Sequence, residues 1–168
     1  NPLGSNKRRF MAKYIYISSS DIYPDHHSLE MTEEDDFIDV SRLEPYGYHK
    51  YLSENLVKRY ASRYLILRSS MILGPNLRKG PIYDILEGKQ LFITPGSRLQ
   101  FITGRAIGEV INSLLLKNIE NETFNVAGTL AFSFLNINKY FTNNIVFGNY
   151  SKDQEYEIST RKLSSFYP

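Results

Sequence analysis

The sequence predicts an α/β fold built on a parallel sheet. Runs of β-branched and aromatic residues alternate with stretches whose apolar residues recur at helical spacing, which argues against a sandwich. With 168 residues the chain has single-domain length and can bury a real core. No internal repeat or low-complexity tract interrupts it.

Taken in order, residues 1–11 are polar, and the run Pro2-Leu3-Gly4-Ser5 resembles the scar of a protease-cleavable tag. They read as a tag remnant or disordered lead-in to a single domain over 12–168. Residues 14–17 read as a buried strand ending at Ser18-Ser19-Ser20. Residues 25–40 are acidic and irregular, a surface loop in which Glu33-Glu34-Asp35-Asp36 is solvated. Pro45 suits the first turn of a helix running to about Ser62, with Leu52, Leu56, Val57 and Tyr60 at helical spacing. A strand follows at 64–67, and Gly74-Pro75-Asn76 breaks the chain. Next come a short helix at 82–86, a short strand at 91–93, a turn at Pro95-Gly96 and a strand at 100–102. The stretch 106–116 is helical, with Ile107, Val110, Ile111, Leu114 and Leu115 apolar. A strand at 123–126 ends in Ala127-Gly128. A helix at 137–141, a strand at 145–147 and a small helix from about Thr160 complete the reading. Residues 152–157 look like surface.

Composition narrows the function classes. The net charge is +2, with both signs interleaved, so neither nucleic acid nor membrane is expected as a partner. The one basic cluster, Lys7-Arg8-Arg9, reads as a solvated tail. The absence of cysteine removes disulfides, thiolate metal sites and a cysteine nucleophile, and is compatible with a cytoplasmic location. No apolar run is long enough to span a bilayer, and no signal peptide is read. His26-His27 with Asp25 and Glu30 lie in a loop with no distant histidine except His49, so no metal is expected.

Chemistry concentrates at Tyr46-Gly47-Tyr48-His49-Lys50. Tyr46 and Lys50 stand four apart and share a helix face. A phenol beside an ammonium is a proton-transfer pair, because the cation favours a phenolate. The bare pair also fits an exposed helix face. Its surroundings are more specific. Ser18-Ser19-Ser20-Asp21-Ile22-Tyr23 closes a strand before the helix, and Leu67-Arg68-Ser69-Ser70-Met71-Ile72-Leu73-Gly74-Pro75 follows it. Arg98-Leu99-Gln100-Phe101-Ile102 then leads into a helix, and Phe124-Asn125-Val126-Ala127-Gly128 ends a strand.

In order and spacing these blocks resemble the extended short-chain dehydrogenase/reductases, the NAD-dependent epimerase/dehydratase family, over most of 14–128. The resemblance implies a partial Rossmann-like parallel sheet with helices and a small C-terminal substrate-side region. It implies NAD or NADP as cofactor, a nucleotide-linked sugar as substrate, hydride transfer, and a possible homodimer through the tyrosine helix. Carried over by position, Ser19 binds the reacting oxygen, Tyr46 is the base, and Lys50 assists it and holds the nicotinamide ribose. Ser69 and Ser70 line the nicotinamide. Ser20, Asp21, Met71, Arg98 and Gln100 fall on the substrate side. Met71 stands where many members have asparagine, and only Asp21 of the Ser20-Asp21 pair is acidic, which argues against dehydration.

The family's Gly-x-x-Gly-x-x-Gly turn, which lets backbone approach the pyrophosphate, does not precede Tyr14. It was removed or omitted, or the chain is a natural remnant that lost cofactor binding, or a partner chain supplies it. A non-catalytic, Rossmann-derived binding or scaffold module is therefore the alternative expectation.

Overall fold

Two strands with no alternation of polarity, β1 (Tyr14–Ser19) and β2 (Tyr64–Ser69), pair in parallel from Tyr14↔Tyr64 to Ser19↔Ser69. This is a computed structural model, and it describes residues 12–142 and 144–167. The lead-in expected at 1–11 lies outside the described residues. The further strands are β3 (Met71–Leu73), β4 (Leu91–Ile93), β5 (Arg98–Leu99), β6 (Phe101–Thr103), β7 (Glu122–Val126), β8 (Phe132–Ser133) and β9 (Phe147–Lys152). The helices are α1 (Pro45–Tyr60), α2 (Pro81–Leu86), α3 (Gly104–Leu116) and α4 (Arg161–Phe166).

The main sheet has the order β1-β2-β7, all parallel, as the sequence predicts. Leu65, Leu67, Phe124 and Val126 form one buried face with Ile107, Val110 and Leu114 of α3 and Leu163 of α4. Burying one Leu or Phe side chain in such a layer stabilises by about 1.5–3 kcal/mol. A second cluster joins Ile85, Leu91, Ile93 and Leu99 to Phe134 and Ile137. It underlies the pairs β3–β6, β4–β9 and β5–β8. The region expected to be C-terminal thus begins earlier, since residues 85–99 supply four of these six buried side chains.

Several sequence expectations are corrected. The helix expected at 137–141 is a 3₁₀ segment at Phe134–Lys139, with Phe134 and Ile137 pinned in the core. On α1 the buried residues are Gly47 and Glu54, while Leu52, Leu56 and Tyr60 are exposed. This helix meets the sheet through a polar pair and a glycine, so helical spacing of apolar residues misidentifies its inner face. The 25–40 loop is not all surface, since Thr32, Glu34 and Ile38 are buried.

One polar network explains these departures. Buried Arg68 on β2 forks onto Glu54 of α1, with Nε donating to Oε1 at 3.1 Å and Nη2 to Oε2 at 3.0 Å. Its Nη1 donates to Tyr23 Oη at 2.9 Å and to the Glu34 carbonyl at 3.1 Å. Tyr23 Oη donates onward to Asn125 Oδ1 on β7 at 2.8 Å. Asn125 N donates to Glu34 Oε1 at 2.7 Å, and its Nδ2 donates to the Thr32 and Ser159 carbonyls. Burial pushes the Tyr23 phenol up to about 12. Burial also holds the Glu34 carboxyl above its usual range.

Removing one partner strands a buried charge. Arg68→Met or Glu54→Leu alone should cost about 3–5 kcal/mol, a fall in Tm of roughly 10 °C. The double variant should recover most of it. A double variant no better than either single, in thermal melts, would show that the pair is not the unit. Glu34 titrates with the opposite sign to a salt-bridged carboxylate. Its folded pKa lies above the unfolded 4.5, so its contribution is full below that pH and lost as pH rises through the folded value. Glu34→Gln keeps the acceptor for Asn125 N. It should melt above the unsubstituted chain at pH 7, and the gap should close on acidification below about 4.5.

Candidate active site

β1 and β2 end side by side, which brings Ser18-Ser19-Ser20 next to Ser69-Ser70 at the carboxyl edge of a parallel sheet. Ligands of open α/β sheets collect at this edge. The Ser19 hydroxyl caps the 3₁₀ turn Ser20–Ile22, accepting from Asp21 N at 3.3 Å and donating to Asp21 Oδ2 at 2.7 Å. The other Asp21 oxygen accepts from Tyr156 Oη at 2.7 Å. Ser69 Oγ donates to the Ser70 carbonyl at 2.9 Å.

A backbone contact sets Tyr46 over this edge. α1 begins at Pro45, and its third residue, Gly47, lies against the backbone of Asp21. A Cβ on Gly47 would fall 2.0 Å from the Asp21 carbonyl oxygen, so only glycine permits the approach. One turn on, Lys50 Nζ donates to the Ile17 carbonyl at 3.1 Å. It lies 5.2 Å from the Tyr16 ring centroid and 5.7 Å from that of Tyr46. Lys79 sets a second ammonium 5.7 Å from the Tyr46 ring. These are cation–π distances. Tyr46 itself is 50 % exposed.

These groups border a cavity of about 800 Å³. Ser19, Ser20, Asp21, Tyr46, Lys50, Ser69, Ser70, Met71 and Gln100 all line it. The structure therefore brings together every residue singled out from sequence but one. Arg98 stands outside the lining, half-exposed, with its guanidinium paired to Glu157 at 2.6 Å and Glu155 at 3.4 Å. Gln100 is a wall residue whose amide is already used, Nε2 donating to the Gly128 carbonyl and Oε1 accepting from Ile158 N. Met71 leans on the second apolar cluster.

Ser18, Arg78, Lys79 and Tyr156 are among the lining residues that the sequence did not assign to the site. In the sequence Ser18 reads only as the end of a strand. Arg78 and Lys79 belong to the loop before α2, and among the described residues neither has an ion-pair partner; two adjacent cations after Gly74-Pro75-Asn76 were the available signal. Tyr156 lies in the stretch read as surface, yet residues 154–157 are half-buried. Its ring stacks on His26 at 3.7 Å and 13°. Burial and the adjacent Asp21 carboxylate hold its phenol far above the usual tyrosine range. No local pattern announces this contact, which spans 135 positions. His26 Nδ1 sits 2.6 Å from the Glu155 carbonyl, an acceptor only, so that nitrogen carries the proton. Burial lowers the imidazole pKa. No group of three or more metal-ligating side chains gathers among the described residues.

Two atoms in the cavity wall lack partners. Ser18 and Ser70 are 3 % and 4 % exposed, and neither Oγ makes a hydrogen bond among the described residues. An unpaired buried hydroxyl costs about 1–3 kcal/mol.

The chain is similar in fold to UDP-glucuronic acid 4-epimerase from Bacillus cereus, solved with NAD, at TM-score 0.68 and 22% identity, over 92% of this chain and 54% of that one. UDP-galactose 4-epimerase gives 0.69 and 21%, over 92% and 56%. dTDP-glucose 4,6-dehydratase from Bacillus anthracis str. Ames, solved with NAD, gives 0.67 and 18%, over 92% and 55%. The chain thus spans about half the length of these proteins. No curated protein matches it in sequence. The family model for NAD dependent epimerase/dehydratases matches residues 4–89, a segment that contains Ser19, Tyr46, Lys50, Ser69, Ser70 and Met71. With that match extending over half its length, the chain belongs to the NAD-dependent epimerase/dehydratase family.

Proposed function

We propose that this chain carries the proton-transfer and substrate-side face of an NAD(P)-dependent epimerase or reductase acting on a nucleotide-linked sugar. The observation that carries the reading is the convergence of Ser19, Tyr46 and Lys50 on one large cavity. A bound nicotinamide supplies the hydride acceptor and donor. The residues fit that group, because Lys50 stands beside Tyr46 with donors to spare and Ser18 and Ser70 offer unpaired hydroxyls. Tyr46 removes the proton of a substrate hydroxyl, and the ammoniums of Lys50 and Lys79 favour the phenolate. Ser19 donates to Asp21 Oδ2, and turning its hydroxyl away from that carboxylate lets it donate to the same substrate oxygen. Arg78 and Lys79 suit the anionic part of a nucleotide sugar. Neighbours in fold bind UDP-glucuronic acid with NAD, which supports the substrate class.

Within this reading, epimerisation or reduction is favoured over dehydration. Losing water beside a ketone needs a base for the carbon-bound proton and an acid for the leaving hydroxyl. Among the described residues Asp21 is the one carboxylate in the lining, and hydroxyls occupy both its oxygens.

The second reading, a binding or scaffold module without cofactor, rests on Met71, which puts an apolar side chain at a substrate-side position. Calorimetric titration with NADH and NADPH separates the two. Saturable binding supports the oxidoreductase, and no binding by folded protein supports the module. In an active preparation supplied with UDP- and dTDP-sugars, Tyr46→Phe should lower kcat by about 10²–10⁴-fold with nucleotide binding retained. Unchanged turnover would remove Tyr46 from the chemistry.

A homodimer through α1 belongs to the same proposal, since Leu52, Leu56 and Tyr60 are 42%, 58% and 52% exposed on it. Light scattering should report a dimer that Leu52→Glu with Leu56→Glu dissociates. A monomeric unsubstituted chain would end that assignment. A cytoplasmic location is part of the proposal too. Among the described residues no helix is long and apolar enough to cross a membrane.

A further inference from the structure

Tyr156 lies on a segment held from two sides. Its N–H donates to the Arg98 carbonyl at 2.8 Å, and Arg98 N donates to the Gln154 carbonyl at 2.8 Å. On the other side Glu157 N donates to the His26 carbonyl at 2.8 Å, His26 Nδ1 donates to the Glu155 carbonyl at 2.6 Å, and the His26 ring stacks on that of Tyr156. Backbone and ring are thus placed independently of the phenol's own bond. That bond reaches back 135 positions, from Tyr156 Oη to Asp21 Oδ1 at 2.7 Å. Burial and the carboxylate beside it hold the phenol far above the usual tyrosine range, so it stays a donor. Asp21 is placed too, because α1 sets Gly47 against its carbonyl. Its second oxygen takes the proton of Ser19 at 2.7 Å, while Asp21 N donates to Ser19 Oγ at 3.3 Å. A hydroxyl has one hydrogen, so Asp21 and a ligand oxygen in the cavity that Ser19 lines compete for it. A bond to an ionised acceptor is strong because of the charge, and a second donor draws on the same charge. The phenol of Tyr156 therefore loosens the hold of Asp21 on Ser19.

We propose that Tyr156 is a positioning residue, which through Asp21 sets how readily the Ser19 hydroxyl turns to the reacting oxygen. The inference rests on the oxidoreductase reading and deepens it. In that reading the substrate hydroxyl gives its proton to Tyr46, the carbon-bound hydrogen leaves as hydride to the nicotinamide, and the carbon–oxygen double bond forms. The oxygen carries its greatest negative charge on the way, and a hydrogen bond from Ser19 is worth most at that point. Turning the hydroxyl needs rotation about the Cβ–Oγ bond alone and moves no heavy atom. Asp21 keeps the bond from Tyr156 throughout, so its charge is never left without a donor. When the oxygen regains a proton the Ser19 hydroxyl returns to Asp21. Tyr156 touches none of the reacting atoms in this scheme, and its influence passes through Asp21 and Ser19.

The test uses Tyr156→Phe, Ser19→Ala and the double variant, read in two ways. Tyr156→Phe keeps the ring on His26 and removes only the donor. In thermal melts without nucleotide, the double variant should lose more in Tm than the two single losses together, because each hydroxyl matters more to Asp21 once the other is gone. Losses that add, or fall short of their sum, would mean that the two hydroxyls do not draw on one acceptor, and would overturn the proposal. With NAD and UDP- or dTDP-sugars, Tyr156→Phe should lower kcat by about 3- to 10-fold, the equivalent of one hydrogen bond, with KM little changed. In the Ser19→Ala background the same substitution should lower kcat no further, since its route to the substrate is gone. An equal fall in both backgrounds, a fall carried by KM alone, or no fall at all overturns this proposal and leaves the oxidoreductase reading standing. No turnover by the folded, unsubstituted chain overturns that reading and the role of Tyr156 together.

Discussion

The guanidinium of Arg68 is the interaction on which the rest of the architecture hangs. It sits on the central strand of the three-stranded sheet and reaches α1 through Glu54, the turn after β1 through Tyr23, and the 32–36 loop through the Glu34 carbonyl. Tyr23 then passes the connection to Asn125 on β7. A buried arginine has no cheap alternative, because withdrawing any partner leaves a charge or dipole in a low-dielectric interior. The network therefore specifies a single docking of helix and loops on the sheet. Apolar packing, which tolerates sliding, would specify it less sharply. Specificity of this kind has a cost here: Glu34 carries its charge into a place that disfavours it.

The same docking positions the chemistry. α1 is held by Glu54 in its middle and by the Gly47–Asp21 backbone contact near its start. Two fixed points on one rigid helix leave Tyr46 and Lys50 little freedom relative to the serines at the strand ends. Lys50 adds a third tie through the Ile17 carbonyl. In the proposed function, preorganisation of this sort lets the phenol and the ammonium act without rearranging at the moment of proton transfer. Asp21 closes the arrangement from the other side, joining Ser19 to Tyr156 and so tying the strand-end edge to a segment far along the chain. Two hydroxyls in the same wall, Ser18 and Ser70, have no hydrogen-bond partner among the described residues, so stability is left incomplete there.

Much of this was legible in the amino-acid sequence. The alternation of strand and helix patterns announced the parallel sheet, because buried parallel strands are near-continuous apolar runs and crossover helices have a 3.6-residue period. Motif order singled out Ser19, Tyr46 and Lys50, which line one cavity, since one short spacing recurs by chance and an ordered series of blocks does not. What determined those features was local: β-branched runs, Pro45 at a helix start, and residues within a few positions of one another.

The tertiary structure alone decided which face of α1 turns inward, whether Glu34 is solvated, where Arg98 points and that Tyr156 reaches Asp21. Periodicity assumes that a helix packs by apolar residues, and α1 packs by Glu54 and Gly47 instead. Acidic composition predicts a solvated loop, and the backbone N–H of Asn125 draws Glu34 inside. Arg98 meets Glu155 and Glu157 only because β9 and the segment after it fold back beside β4 and β5. Each of these outcomes depends on a partner more than fifty residues away or on a different element, and no spacing rule encodes such a pairing.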